Sequence, residues 1–320
     1  MPTPDVFPTA TPGYSAPHHT PGRLDPTSKY GQALIKEHAL VAKEVEANWS
    51  GRGQHVEFQT NDIVPVEVGR AIGHSSTALV ESVLCRRIRL ARKSVRVHRR
   101  AKLEDLVKEV AYLNRLRHPH VVQLVGSYLQ GTTFAILLYP VATGDLTKFL
   151  SEWRPSGTWY DGRKPSSPFV LAERNLSQFI VCLVHAISYL HEQGIRHMDI
   201  KPSNMLVHER RELGEQPFRG FYLPEVAAGE ARGRASDMFS LGCVFTQMLT
   251  PLVGMSLVGY DDFRAGASDD DSFQANLPRV DQWIQQVARG IKSMPADGAY
   301  AVPPLDFIGL LQSMVKRVCT

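Results

Sequence analysis

The 320-residue sequence predicts an α+β fold in two lobes, a small antiparallel β lobe carrying one helix and a larger, mainly α lobe. Three observations predict it. Residues 63–141 hold five short runs rich in β-branched residues: VPVEVGRAI, TALVESVL, IRLARKSVRV, VVQLVGSYL and FAILLYPV. A single helix-like stretch, 102–116, interrupts those runs. Beyond Gly144 the apolar period turns helical, with Leu176, Phe179, Ile180, Leu183, Ile187 and Leu190 forming one stripe that Gly194 ends in a C-cap position. The organisation expected is therefore 1–62, 63–142 and 143–320.

Residues 1–62 are rich in Pro, Ser, Thr and Gly, with few large apolar residues before Leu34, and read as a mostly disordered tail. Within it, Leu34, His38, Val41, Val45 and Trp49 recur at helical spacing and predict one helix over 33–49, with no docking site evident. Hydrophobic residues make up 43% of the chain without an apolar run long enough to span a bilayer, so a membrane is not an expected partner. The start lacks the apolar stretch of a secretory signal, so the chain is expected in the cytoplasm or nucleus, with Cys85, Cys182, Cys243 and Cys319 in a reducing compartment. No Cys pair has zinc-site spacing, and Cys243 in FSLGCVF reads as a small core residue. A net charge of +4 argues neither for nor against an acidic partner, and nucleic acid is the least favoured of the partners weighed. No repeat recurs at a solenoid period.

The densest chemistry follows the helical stripe, in IRHMDIKPSNMLV (195–207). The series His197, Met198, Asp199, Lys201 and Asn204 resembles the protein kinase catalytic loop, His-Arg-Asp with an Asn five residues after the Asp. That resemblance implies a bilobal protein kinase-like fold and ATP-dependent phosphoryl transfer to Ser or Thr of a protein substrate. It makes Asp199 the group that accepts or orients the hydroxyl proton, Asn204 a magnesium ligand and Lys201 a neutraliser of charge on the transferred group. Met198 replaces the family Arg, which pairs with a phosphorylated activation loop, so control by that route is not expected.

A second match lies upstream. LARK, ending at Lys93, looks like the third-strand Val-Ala-x-Lys motif, and Glu109, 16 residues on, takes the place of its helix partner. Ala111, Leu113 and Leu116 mark that helix's inward face. Taken alone, Lys93 is one cation in a basic run (Arg86, Arg87, Arg89, Arg92, Arg96, Arg99, Arg100) that could be a solvated strand face. His118 and His120 read as turn-capping residues rather than metal ligands. Aligning IGHSSTALV on the family's glycine-rich loop keeps Gly73 and Val80 but puts Ser75 and Ala78 at the other glycine positions, implying a stiffer lid and weaker nucleotide grip. By the same resemblance Val80 and Ala91 roof an adenine, Leu206 floors it, and the hinge runs from Leu138 to Val141, stiffened by Pro140.

Between Asn204 and Leu223-Pro224-Glu225, which is similar to the family Ala-Pro-Glu, the sequence departs from the pattern. Only 20 residues separate Asn204 from Pro224, and no Asp lies between Asp199 and Asp237. A two-residue-turn hairpin would use roughly ten of them. The Asp-Phe-Gly metal motif and activation segment are read as missing, with Glu212-Leu213-Gly214 only a loose echo. Magnesium binding is expected to be weakened. SDMFSLGCVFTQML resembles the family's central buried helix, so Asp237 either braces the catalytic loop backbone or simply caps the helix. Asp269, Asp270 and Asp271 read as a solvated loop, and the chain stops before the family's last helix. HPHVVQLVGSY, DIKPSNMLVH and SDMFSLGCVF look like serine/threonine kinases of filamentous fungi. Three readings follow: an active serine/threonine kinase, a pseudokinase that works as a binding or scaffold module, or a chain from which a coded segment between Val207 and Phe221 is missing.

Overall fold

A computed structural model describes residues 24–74, 78–99, 101–152, 167–210, 218–222, 233–266, 270–293 and 305–316. The chain divides into two compact units, Met1–Ala142 and Thr143–Thr320.

Unit 1 runs α1 (Lys29–Lys36), β1 (His55–Phe58), β2 (Glu67–His74), β3 (Ala78–Cys85), β4 (Ile88–Arg96), α2 (Leu103–Arg115), β5 (Gln123–Gln130) and β6 (Thr133–Tyr139). Its six strands form one sheet in the order β1-β5-β6-β4-β3-β2. The four pairings among β2 to β6, within the predicted 63–142 lobe, are antiparallel as expected, and β1 from the preceding stretch adds to β5 in parallel. The reason is chain path: β2 to β6 are joined by short connections and by the α2 crossover, whereas β1 comes from the amino-terminal stretch.

That stretch corrects the expected tail. Residues 24–62 are built into unit 1, and the helix is α1, N-capped by Ser28, not one over 33–49. His38, just past α1, adopts φ +54, which no helix tolerates. The chain then wraps the sheet edge. Tyr30 and Leu34 are fully buried on one side, and Trp49 is fully buried on the other, against Val83, Leu90, Tyr128 and Leu137. Trp49, Phe58 and Tyr128 pack ring on ring, with Phe58 and Tyr128 edge-on at 5.6 Å. Composition hid this because a few well-placed aromatic residues bury more area than their number suggests.

Unit 2 opens with β7 (Gly144–Asp145) and α3 (Leu146–Ser151), then the long α4 (Ser167–Glu192), the hairpin β8 (Leu206–Arg210) and β9 (Phe218–Tyr222), and four helices: α5 (Arg234–Leu252), α6 (Leu257–Ala265), α7 (Leu277–Lys292) and α8 (Leu305–Lys316). All six residues of the predicted α4 stripe are buried. Gly194 has φ +72 and closes α4, with Gly194 N–H donating to His191 O and Ile195 N–H to Leu190 O. α5 is the buried central helix, from Phe239 to Leu252, and packs on α4, α6, α7 and α8. Cys243 lies in this core as expected, and burial pushes its thiol up. Asp270 and Asp271 lie in an exposed loop; Asp269 is outside the described residues.

Candidate functional site

In unit 1 the cross-strand register places the predicted nucleotide-facing residues together. Val80 opposes Lys93, Lys93 opposes Ile136, and Ala91 opposes Leu138. Paired residues and residues two apart share a face, so Val80, Ala91, Lys93 and Leu138 line one side of the sheet, opposite the Trp49 core. Gly73 opposes Val80, and a Cβ built at Gly73 would meet the Val80 Cβ at 3.8 Å, an ordinary contact. The room at Gly73 therefore does not require glycine. Ser75 lies outside the described residues. Leu138 is buried near the end of β6, and Val141 follows two residues after it.

Lys93 is not part of a solvated basic face. Its Nζ donates to both Glu109 carboxylate oxygens, at 3.1 and 3.2 Å, and both side chains are more than four-fifths buried. Its neighbour Arg92 points to the other face, where it holds Glu81 at 2.7 Å and Tyr128 Oη at 3.3 Å. Alternation along β4 thus separates a structural ion pair from the one on the α2 side. His118 Nδ1 accepts from the His120 backbone N–H, a turn role.

In unit 2 the loop over 195–207 is held from below by Asp237. This carboxylate, 1% exposed, accepts from the backbone N–H groups of His197 at 2.9 Å and Met198 at 2.8 Å, and from His191 Nε2 at 2.9 Å. α5 begins at Arg234 with Gly233 as its N-cap, so Asp237 braces the loop and does not cap the helix. Met198 is held at φ +66, a conformation that costs about 1–2 kcal/mol for a residue with a Cβ. The brace keeps the loop there and turns Asp199 outward, with its side chain 55% exposed. Asp199 Oδ2 accepts from Lys201 Nζ at 2.9 Å and Asn204 Nδ2 at 2.6 Å, and Asn204 Nδ2 also donates to the Asp199 carbonyl at 2.9 Å. Asp199, Lys201 and Asn204 are thus one hydrogen-bonded group with Asn204 Oδ1 left for another ligand. Leu206 follows in β8, pairing with Asp145 and Tyr222.

β8 and β9 pair as an antiparallel hairpin, from Leu206 opposite Tyr222 to Arg210 opposite Phe218, and β9 ends at Tyr222, next to Leu223; the expected two-residue turn falls on 211–217, outside the described residues. Glu212-Leu213-Gly214, Leu223-Pro224-Glu225 and Arg100 lie outside the described residues.

Comparison with solved proteins bears on the architecture. The structure matches that described as "Crystal structure of Rad53 1-466 in complex with AMP-PNP" with a TM-score of 0.52, at 19% sequence identity, over 78% of this chain and 60% of the other. The fold is protein kinase-like. Sequence comparison supports the same superfamily for this kinase-like chain. The protein kinase domain family model matches residues 66–214, a stretch that includes Lys93, Glu109, Asp199, Lys201 and Asn204. Mitogen-activated protein kinase kinase kinase 17 of Arabidopsis thaliana is 30% identical over 57% of this chain and 51% of its own length. Serine/threonine/tyrosine-protein kinase HT1 of the same plant is 24% identical over 67% of this chain and 57% of its own. Serine/threonine-protein kinase ULK3 of Homo sapiens is 29% identical over 44% of this chain and 25% of its own. The chain spans about half the length of the first two of these relatives.

Sequence reasoning missed the polar residues that tie the amino-terminal stretch to α2. Asn114 Nδ2 donates to Ala39 O, Gln54 Nε2 to Asn114 Oδ1 at 3.1 Å, and Trp49 Nε1 to Gln54 O at 2.9 Å. One signal was available. Gly126 interrupts an otherwise β-branched run, and a Cβ there would come within 2.3 Å of both Gln54 O and Trp49 Nε1. A glycine inside a strand pattern marks such an approach.

Proposed function

We propose that this chain is a kinase-like domain that binds an adenine nucleotide, transfers phosphoryl groups from it negligibly, and works as a pseudokinase through a protein partner. The reading is carried by one observation: β9 runs to Tyr222, directly before Leu223-Pro224-Glu225, and no Asp lies between Asp199 and Asp237. No Asp between those two is available to share magnesium with Asn204, and Glu212, the loose echo of that motif, lies outside the described residues.

The residues present fit a nucleotide better than a metal. Lys93 brings a cation held by Glu109 to a face otherwise made of Val80, Ala91 and Leu138, which suits a phosphate chain joined to a flat apolar base. Magnesium takes six oxygen ligands and is usually held by one or two carboxylates besides phosphates. Asn204 offers one oxygen, and no group of three or more His, Cys, Asp or Glu suited to a metal occurs among the described residues. Among the described residues the donor set therefore fits magnesium poorly. The loop at 195–207 supports a second reading, that of a transfer-competent kinase acting on protein Ser or Thr, because Asp199 is already oriented by Lys201 and Asn204 to take a hydroxyl proton. The fungal serine/threonine kinase likeness and a cytoplasmic or nuclear place belong to either reading. Among the described residues no helix is long and apolar enough to cross a membrane.

The test is ATP-dependent thermal stabilisation of the intact chain, lost in Lys93→Met, together with transfer to a serine-rich protein. Stabilisation without transfer is expected. Magnesium-dependent transfer abolished by Asp199→Asn would overturn the pseudokinase reading. Sequencing the transcript across the codons for Val207 to Phe221 decides the remaining alternative, since an added Asp-Phe-Gly there would restore the metal ligand.

A further inference from the structure

Helix α2 is held on two sides. Glu109 faces Lys93, while Asn114, five residues on and so about 140° around the helix, is 6% exposed and faces residues 39–54. There the Asn114 amide is used in both directions, donating to Ala39 O and accepting from Gln54 Nε2. Gln54 is itself fixed at three further points: its N–H donates to Glu46 Oε1 at 2.7 Å, and its carbonyl accepts from Trp49 Nε1 at 2.9 Å and Ser127 N–H at 3.0 Å. Tyr30 Oη and His55 Nδ1 both meet Ser127 Oγ at 2.7 Å on the α2 side of β5. The amino-terminal stretch is thus anchored on both faces of β5 as well as to α2. A buried amide bonded at both its nitrogen and its oxygen favours one arrangement, because sliding or rotating α2 would strand a donor and an acceptor out of water.

We infer that residues 39–54 are an intrachain strut that fixes the rotational setting of α2 through Asn114, a positioning residue, so that the Lys93–Glu109 pair is built into the chain and needs no partner or activation-loop signal. This rests on the reading that the pair serves the nucleotide. Met198, where a kinase of this pattern has an activation-loop-reading Arg, leaves room for such a built-in device. Removing the Asn114 amide frees α2 to turn, and Glu109 then leaves Lys93.

The test measures Lys93 directly, in the intact chain without nucleotide. Its rate of acylation by an amine-selective reagent is followed by peptide mass spectrometry against exposed Lys108 as internal reference. Asn114→Leu keeps the side-chain volume and removes both hydrogen bonds. It is expected to raise the Lys93 rate about fivefold, as Glu109→Gln does, and to add nothing in the Glu109→Gln background. An unchanged Lys93 rate in Asn114→Leu would overturn the inference, and so would an equal rise with and without Glu109, which a general loosening of the unit would give. Where Asn114→Leu fails to show a cooperative melt, Gln54→Met, which removes the Nε2 donor to Asn114, is judged by the same criterion. Because no nucleotide is used, failure of ATP to stabilise the chain leaves this result standing, and failure here leaves nucleotide binding to be judged on its own.

Discussion

Replacing Asp237 by Asn tests whether one buried carboxylate sets the loop that carries Asp199. The carboxylate receives three donors on two oxygens: Oδ2 takes His197 N–H and His191 Nε2, and Oδ1 takes Met198 N–H. An Asn has one acceptor oxygen, so its better orientation keeps the two donors at Oδ2 and sets an NH₂ against the Met198 N–H. At least one charge-assisted hydrogen bond is lost, worth about 1.5–3 kcal/mol, and the two that remain weaken as the charge goes. Met198 also loses the contact that holds it at φ +66. For a unit of this length each kcal/mol moves the melting temperature by about 2–4 °C, so a fall of roughly 3–12 °C is expected. Thermal melting of the intact chain gives the shift, and amide exchange at His197 and Met198 locates it. A melt within about a degree of the parent, with both amides still protected, would refute the brace.

Two further outcomes follow from unit 1. Gly126→Ala forces a Cβ to within 2.3 Å of Trp49 Nε1 and Gln54 O, so overpacking and loss of the indole hydrogen bond together cost about 2–4 kcal/mol, read as a lower urea midpoint; a variant as stable as the parent would show that the approach is not so close. Burial lowers His55 from 6.5 to about 4, so the unfolded chain binds this proton first as pH falls. The stability it contributes is complete above about pH 6.5 and declines toward pH 4, by about 2 kcal/mol at pH 5; His55→Gln should flatten that part of the urea midpoint profile, and an unaltered slope would refute it.

Legibility from sequence followed the kind of constraint each residue obeys. The contacts of Lys93 with Glu109, of Asp199 with Lys201 and Asn204, and of Asp237 with their loop were legible through the motifs that resemble a known family, and the structure brings those residues together. The α4 stripe was legible from its period alone. The amino-terminal stretch was not, because its order comes from long-range contacts: Tyr30 reaches Ser127, and Gln54 reaches Asn114 across 60 residues. Neither period nor composition encodes a partner so far away. The helix expected over 33–49 failed for a local reason, since His38 turns left-handed, and the backbone beyond it bonds to α2 at Ala39 and to β5 at Gln54.

The two anchors, Asn114 in unit 1 and Asp237 in unit 2, bear on which part of a kinase-like activity persists. Each is a buried polar side chain whose hydrogen bonds fix a backbone segment bearing charged residues, and every bond named for them lies within its own unit. None of the bonds named draws on residues 211–217 or 223–232. In the reading proposed above, the chemistry that would depend on those stretches is metal binding, where magnesium supplies much of the stabilisation of a transferring phosphoryl group. The chemistry that depends on Asn114 and Asp237 is the holding of Lys93 and the orientation of Asp199. Nucleotide binding should therefore withstand changes at 211–217 and 223–232 and fail with changes at the anchors. Ten-residue alanine replacement over 223–232 is expected to leave ATP-dependent stabilisation of the chain intact, whereas Asn114→Leu abolishes it. Loss of that stabilisation in the alanine variant would show that the nucleotide is held by the segment after β9 and not by the face that carries Lys93.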